Sequence, residues 1–239
     1  KFQGAKTNVT LDNSINAIKL TDPSTNATGE YAFNEVLDLG AVFSLDLKRH
    51  ILSEGFYSGS LFDSRTALID TWADFDGGQA TSVNAELLVA ITQDDPSSGS
   101  PTFTAFQTFI NGTYKGRGFK FKAILSSSDP AQNIQVSQLG YTATLQRRTE
   151  QSATAIASGS GVKNITFSNA FFTGTSALLG ANSNLPSIGI TATDNITSGD
   201  YFQVTNISST GFSVHFKNSS NASINRNFNF SAVGFGKGT

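Results

Sequence analysis

Residues 117–125 read RGFKFKAIL, with Phe119, Phe121, Ala123 and Leu125 at every second position. Successive side chains leave a pleated backbone on opposite sides, so this period of two marks a strand with one face in the core. The same spacing recurs in VFSLDLK (42–48; Phe43, Leu45, Leu47), in VNAELLVAI (83–91; Val83, Ala85, Leu87, Val89, Ile91) and in LGYTATL (139–145; Leu139, Tyr141, Ala143, Leu145). Turn clusters DDPSSGSP (94–101) and NGTYKG (111–116) separate the runs. Many half-buried strands divided by turns predict an antiparallel β-sandwich of jelly-roll type.

Working outward, a second strand set follows residue 163. NITFSNAF (164–171) places Ile165, Phe167 and Phe171 on one face, SIGITA (187–192) Ile188, Ile190 and Ala192, and GFSVHFK (211–217) Phe212, Val214 and Phe216. DYFQVTNI (200–207) is expected to bury Phe202 and Val204, and NRNFNFSAV (225–233) Phe228 and Phe230. Between the sets, apolar periodicity fails while Ser, Thr, Ala and Gly accumulate. The expected organisation is a first sandwich over 1–148, a linker over 149–162 and a smaller sandwich over 163–239.

Composition supports an all-β chain and narrows its partners. Twenty Phe in 239 residues supply a core, while only 14% of residues are charged and the formal net charge is −2. Solubility therefore rests on Ser, Thr, Asn and Gly, and no global field favours nucleic acid or an anionic membrane. There is no Cys, which excludes disulfides, thiolate metal sites and a cysteine nucleophile. Met is also absent, even at position 1, so the chain is expected to start inside a longer polypeptide or after processing. Nine Asn-x-Ser/Thr sequons occur, and the richness in Asn, Ser and Thr accounts for them better than a secreted glycoprotein does.

The chemistry of catalysis is sparse. There are two histidines, His50 and His215, and no G-x-S-x-G elbow, no H-E-x-x-H and no P-loop, so no enzyme, catalytic residue or cofactor is expected. DTWADFDGG (70–78) gathers Asp70, Asp74 and Asp76, which could face calcium, but EF-hand spacing is missing and an acidic turn is the simpler reading. The only Trp, Trp72, lies among those acidic and glycine residues and offers a flat face for stacking on a sugar ring. Lys115, Arg117, Lys120 and Lys122 form a basic cluster, with Lys120 and Lys122 on the face opposite Phe119 and Phe121, as on a solvated face. His215 points away from the Phe212/Phe216 face, toward solvent, a sugar or another chain.

The apolar pattern of the chain's end, NRNFNFSAVGFGKGT (225–239), switches faces: Phe228, Phe230 and Ala232 share one, whereas Val233 and Phe235 take the other. A bulge near 231–233 would do this. Equally, Phe235 could contact a neighbouring subunit.

Two stretches carry a family resemblance. TFTAFQTFINGTYKGRGFKFKAILSSSDPAQNIQVSQLGYTATL (102–145) resembles a β-sandwich module of tailed-bacteriophage tail-tip and host-specificity proteins, through Phe106 and Phe109, GTYKGR, FKFKAIL and LGYTATL. It also looks like galactose-binding-like sandwiches. The second set, with KNITFSNAFFTG, VTNISSTGFSVHF and INRNFNFSAVGFGKG, is similar to the small sandwich of H-type lectins and to domains closing phage tail-fibre proteins. The resemblance implies an all-β virion protein, extracellular on a phage tail, forming the C-terminal part of a homotrimeric central tail-tip protein. It would contact other tail proteins and a bacterial surface glycan or outer-membrane protein during adsorption, with no nucleic acid partner and no membrane insertion. His215 and Arg226 occupy the polar positions such a lectin-like domain would use. Alternatives are a purely architectural tail domain and a secreted carbohydrate-binding module.

Overall fold

The computed structural model describes residues 1–57, 68, 71, 80–175 and 183–236. Its strands are β1 (Ala5–Thr7), β2 (Val9–Asp12), β3 (Ala17–Leu20), β4 (Thr28–Ala32), β5 (Leu37–Tyr57), β6 (Val83–Thr92), β7 (Gln107–Thr108), β8 (Gly112–Ser127), β9 (Gln132–Leu145), β10 (Arg147–Gln151), β11 (Ile156–Ala157), β12 (Lys163–Thr166), β13 (Ser187–Ala192), β14 (Tyr201–Thr205), β15 (Gly211–Lys217) and β16 (Asn227–Phe235). Every paired strand is antiparallel, and no α-helix occurs among the described residues. The chain is all-β, of the sandwich class.

The four alternating runs of the first half lie in β5, β6, β8 and β9, at the heart of a nine-stranded sheet ordered β1-β4-β8-β5-β9-β3-β2, with β6 and β7 branching from β8. Its two ends, β1 and β2, are successive in the chain and joined at Asn8, whose φ of 53° turns the backbone sharply. Gly29 of β4 lies against that turn: a Cβ there would sit 2.7 Å from the Asn8 carbonyl oxygen and from Val9. The sheet thus curls until its ends meet, a nearly closed barrel. Curvature is helped by extra residues in β5, where Asp38 pairs with Gly118 but the next pair is Phe43 with Gly116. Phe109, Phe119, Phe121, Leu45, Leu87 and Leu125 fill the inside, with Phe121 stacked on Tyr141 at 4.1 Å between ring centres.

In the second half β16 is the central strand of its sheet, flanked by β10 and β11 on one side and β13 on the other. A three-stranded sheet, β12-β15-β14, contributes the other inner face. Between them lie Ile165, Phe167, Phe171, Phe212, Val214, Phe216, Phe228, Phe230 and Ala232. Gly211 allows β15 to approach β12, since a Cβ there would fall 2.1 Å from the Ile165 carbonyl oxygen.

Three local expectations change. The 149–162 stretch is not a free linker: β10 pairs Arg147–Gln151 with Phe235–Ser231 of β16, and β11 pairs Ile156 with Phe228. No apolar period shows because β10 turns Arg148 and Glu150 inward, where they bond each other at 3.2 Å and the guanidinium lies 3.9 Å from the centre of the Phe171 ring. The bulge at 231–233 is absent; β16 keeps unbroken register with β10 and β13, and Gly234 continues the buried face after Ala232. Phe202, expected inside, is 40% exposed. It belongs to β14, which closes the three-stranded sheet, so its inward face has cover on one side only.

Candidate functional site

β14 starts directly after a tight turn that the sequence TSGD builds. The Asp200 backbone N–H donates to the Thr197 carbonyl, the Thr197 N–H donates back to Asp200 Oδ2, both at 3.0 Å, and Gly199 supplies φ of 88°. This fixes Asp200 at the mouth of the strand. Opposite, Arg226 immediately precedes β16; its backbone N–H donates to Ser158 Oγ at 2.9 Å and its Nη1 to the Asn225 carbonyl at 3.0 Å. Arg226 Nη2 then reaches Asp200 Oδ2 at 2.6 Å.

The Asp200 side chain is only 6% exposed. The Arg226 guanidinium first, then the Thr197 N–H, hold its carboxyl below the ordinary carboxylate range, so Asp200 stays ionised at neutral pH. Ile196, Tyr201, Phe202 and Phe216 surround this pair and line with it a cleft of about 280 Å3. Phe202 and Phe216 lie 5.5 Å apart, and Ile196, Tyr201 and Phe202 are all exposed. A fixed polar pair walled by apolar rings suits a ligand with hydroxyls on its rim and apolar carbons on its faces.

Beside the cleft runs a polar, almost uncharged sheet face. Pairing puts Gln203 opposite His215, Tyr201 opposite Lys217 and Thr205 opposite Ser213 on the outer side of β14 and β15. His215 Nε2 shares a hydrogen bond with Ser223 Oγ at 2.8 Å, and Tyr201 Oη donates to Asn221 Oδ1. Asn218 Oδ1 accepts from the N–H groups of Ser220 and Ala222, each at 3.0 Å, and so shapes the loop carrying Asn221 and Ser223. Farther along, Ser213 Oγ donates to Asn164 Oδ1 at 2.9 Å and accepts from Asn206 Nδ2 at 3.2 Å.

Of the residues singled out from sequence, His215 and Arg226 thus fall at the same end of the second sandwich. No hydrogen bond joins them; Tyr201 lies between, at the cleft rim and on the outer face. Trp72, Asp70, Asp74 and Asp76 lie outside the described residues. Phe235 is 38% exposed, pairs with Arg147 and lines a different, apolar cleft with Leu37, Leu45, Leu145 and Phe172. Among the described residues no group of three or more His, Asp or Glu side chains gathers as for a metal ion.

The turn cluster at 94–101 is tied to the sheet by Arg117, which bonds Asp95 at 2.8 Å and Asp38 at 3.1 Å. Lys120 and Lys122 lie over the rings of Phe103 and Phe106, and Lys122 also bonds Glu30 at 2.7 Å. Sequence reasoning missed Asp200 and the exposure of Ile196 and Phe202. The available signal was an Asp opening a strand after Ser-Gly, with an Arg at the start of another strand. Set against known proteins, the chain matches no protein family, no curated protein and no solved structure.

Proposed function

We propose that this chain is a non-enzymatic adhesion module of a phage tail tip or fibre, which recognises a glycan or outer-membrane receptor on a bacterial surface. The observation that carries the binding role is the cleft of Ile196, Tyr201, Phe202 and Phe216 around the Asp200–Arg226 pair, next to a face of Gln203, Thr205 and His215. Exposed aromatics beside fixed hydrogen-bonding groups are an arrangement suited to sugar rings or to a polar protein epitope. The phage assignment is supported by the resemblance of residues 102–145 and 163–238 to tail-tip sandwiches. Each contact at so shallow a site is weak, so a homotrimer presenting three copies would supply avidity.

The test uses the full chain. Its solution mass is measured, and its binding to intact bacteria and purified envelope glycans is compared with that of Tyr201→Ala. The proposal predicts binding to a particular envelope that Tyr201→Ala reduces at least tenfold while the fold is kept. A chain that binds no envelope or glycan from any bacterium tried, or one indifferent to Tyr201→Ala, contradicts it.

A further inference from the structure

We infer that Phe172 is a latch that makes the barrel and the small sandwich one cooperative, rigid unit, so that the receptor cleft is held at a fixed angle to the barrel. Two lobes of one chain ordinarily move against each other unless an apolar contact holds them. Here three features act at one junction. First, only Gln146 separates β9 of the barrel from β10 of the sandwich, too short a connection to behave as a flexible tether. Second, Phe172 follows Phe171 of the sandwich core yet is itself buried in the barrel core, edge-on to Phe43 with ring centres 5.9 Å apart. Consecutive residues thus anchor in different cores. Third, the chain holding the latch is itself held: the Phe172 N–H donates to the Phe235 carbonyl at 2.8 Å, and the Gly236 N–H donates to the Gln146 carbonyl at 3.0 Å.

Gly236 shows how closely the lobes meet. Its φ is 90°, and a Cβ at this position would stand 2.8 Å from the Phe43 ring, so the backbone lies against that ring. The sandwich therefore cannot tilt away without withdrawing Phe172 from the barrel core and lifting the Gly236 backbone off the Phe43 ring. Phe171 resists the withdrawal from its own side, stacked under Arg148 and edge-on to Phe167 at 5.0 Å. Loosening either core should be felt in the other.

Hydrogen exchange on the full chain, read separately for β8 of the barrel and β15 of the sandwich, tests this. Val214→Ala, a fully buried change confined to the sandwich core, is expected to speed the slowest exchange of β15 on the order of tenfold and that of β8 by the same factor. In a Phe172→Ala background the Val214→Ala effect should persist in β15 and vanish in β8. Phe172→Leu, which keeps an apolar side chain, serves the same comparison if the alanine variant does not fold. Val214→Ala acting on β15 alone in the otherwise unchanged chain overturns the inference, as does coupling that survives both Phe172 variants.

Discussion

The barrel and the small sandwich are built on the same alternation of apolar and polar residues, but they finish differently. In the barrel, β1 and β2 succeed each other around Asn8, and the sheet returns on itself, so inward-facing side chains such as Phe119, Phe121 and Leu87 are buried. In the sandwich, β14 ends its sheet with Phe202 facing inward but 40% exposed. Alternation states which way a side chain points; only the strand's place in the sheet decides whether anything covers it. The uncovered place is where the Asp200–Arg226 pair and three exposed apolar residues meet.

The contrast is broken or sharpened most strongly by deletion of rings. Phe228→Ala, at a fully buried ring 5.5 Å from Phe216, is expected to cost about 3–5 kcal/mol in denaturant unfolding, and Phe119→Ala in the barrel a similar amount. A loss below about 1 kcal/mol at Phe228 would mean the sandwich core is loosely packed. Gly211→Ala comes next, at about 2 kcal/mol or more, because its Cβ cannot coexist with the Ile165 carbonyl at the present strand spacing. Phe202→Ala, although it removes the same ring as Phe228→Ala and faces the same way, should cost only about 1 kcal/mol. Equal costs for Phe202 and Phe228 would refute the uncovered edge.

A smaller effect is expected from pH. Asp200 is held below the usual carboxylate value of about 4, so the folded state binds its proton less readily than the unfolded chain does. Its stabilisation is therefore complete above about pH 4 and is lost as pH falls through the depressed value. Other carboxyls shift the same way, notably Asp12 through its bonds to Lys19 and Ser14, so the contribution is isolated by difference. The stability gap between the unchanged chain and Asp200→Asn should be widest near neutral pH and narrow on acidification toward pH ~2. A gap that stays constant would show that the Asp200 charge does not hold the turn.

How much of this was legible in the sequence follows from the same contrast. RGFKFKAIL and VNAELLVAI announce their strands and buried residues because both lie inside a closed sheet. RRTEQ at 147–151 hides β10, since a strand held by its backbone ladder to β16, with an ion pair on its inner side, has no apolar period to show. Phe235 and Val233 imitate a change of face, whereas Gly234 continues the buried row without a side chain to signal it. At the site, His215 was visible as a polar residue between Val214 and Phe216, whereas Arg226 stood out only through the lectin-like resemblance. Asp200 was not, because its partner lies 26 positions away and the two meet only once β14 and the start of β16 face each other.

The most direct test of the cleft as the recognition site is a hydrogen-exchange footprint of the full chain on an envelope fraction that it binds. Residues 196–203 and 224–226 are expected to be protected, with the β6 and β8 face of the barrel unchanged. Protection confined to the barrel, with 196–203 exchanging as in the free chain, would contradict recognition at the cleft.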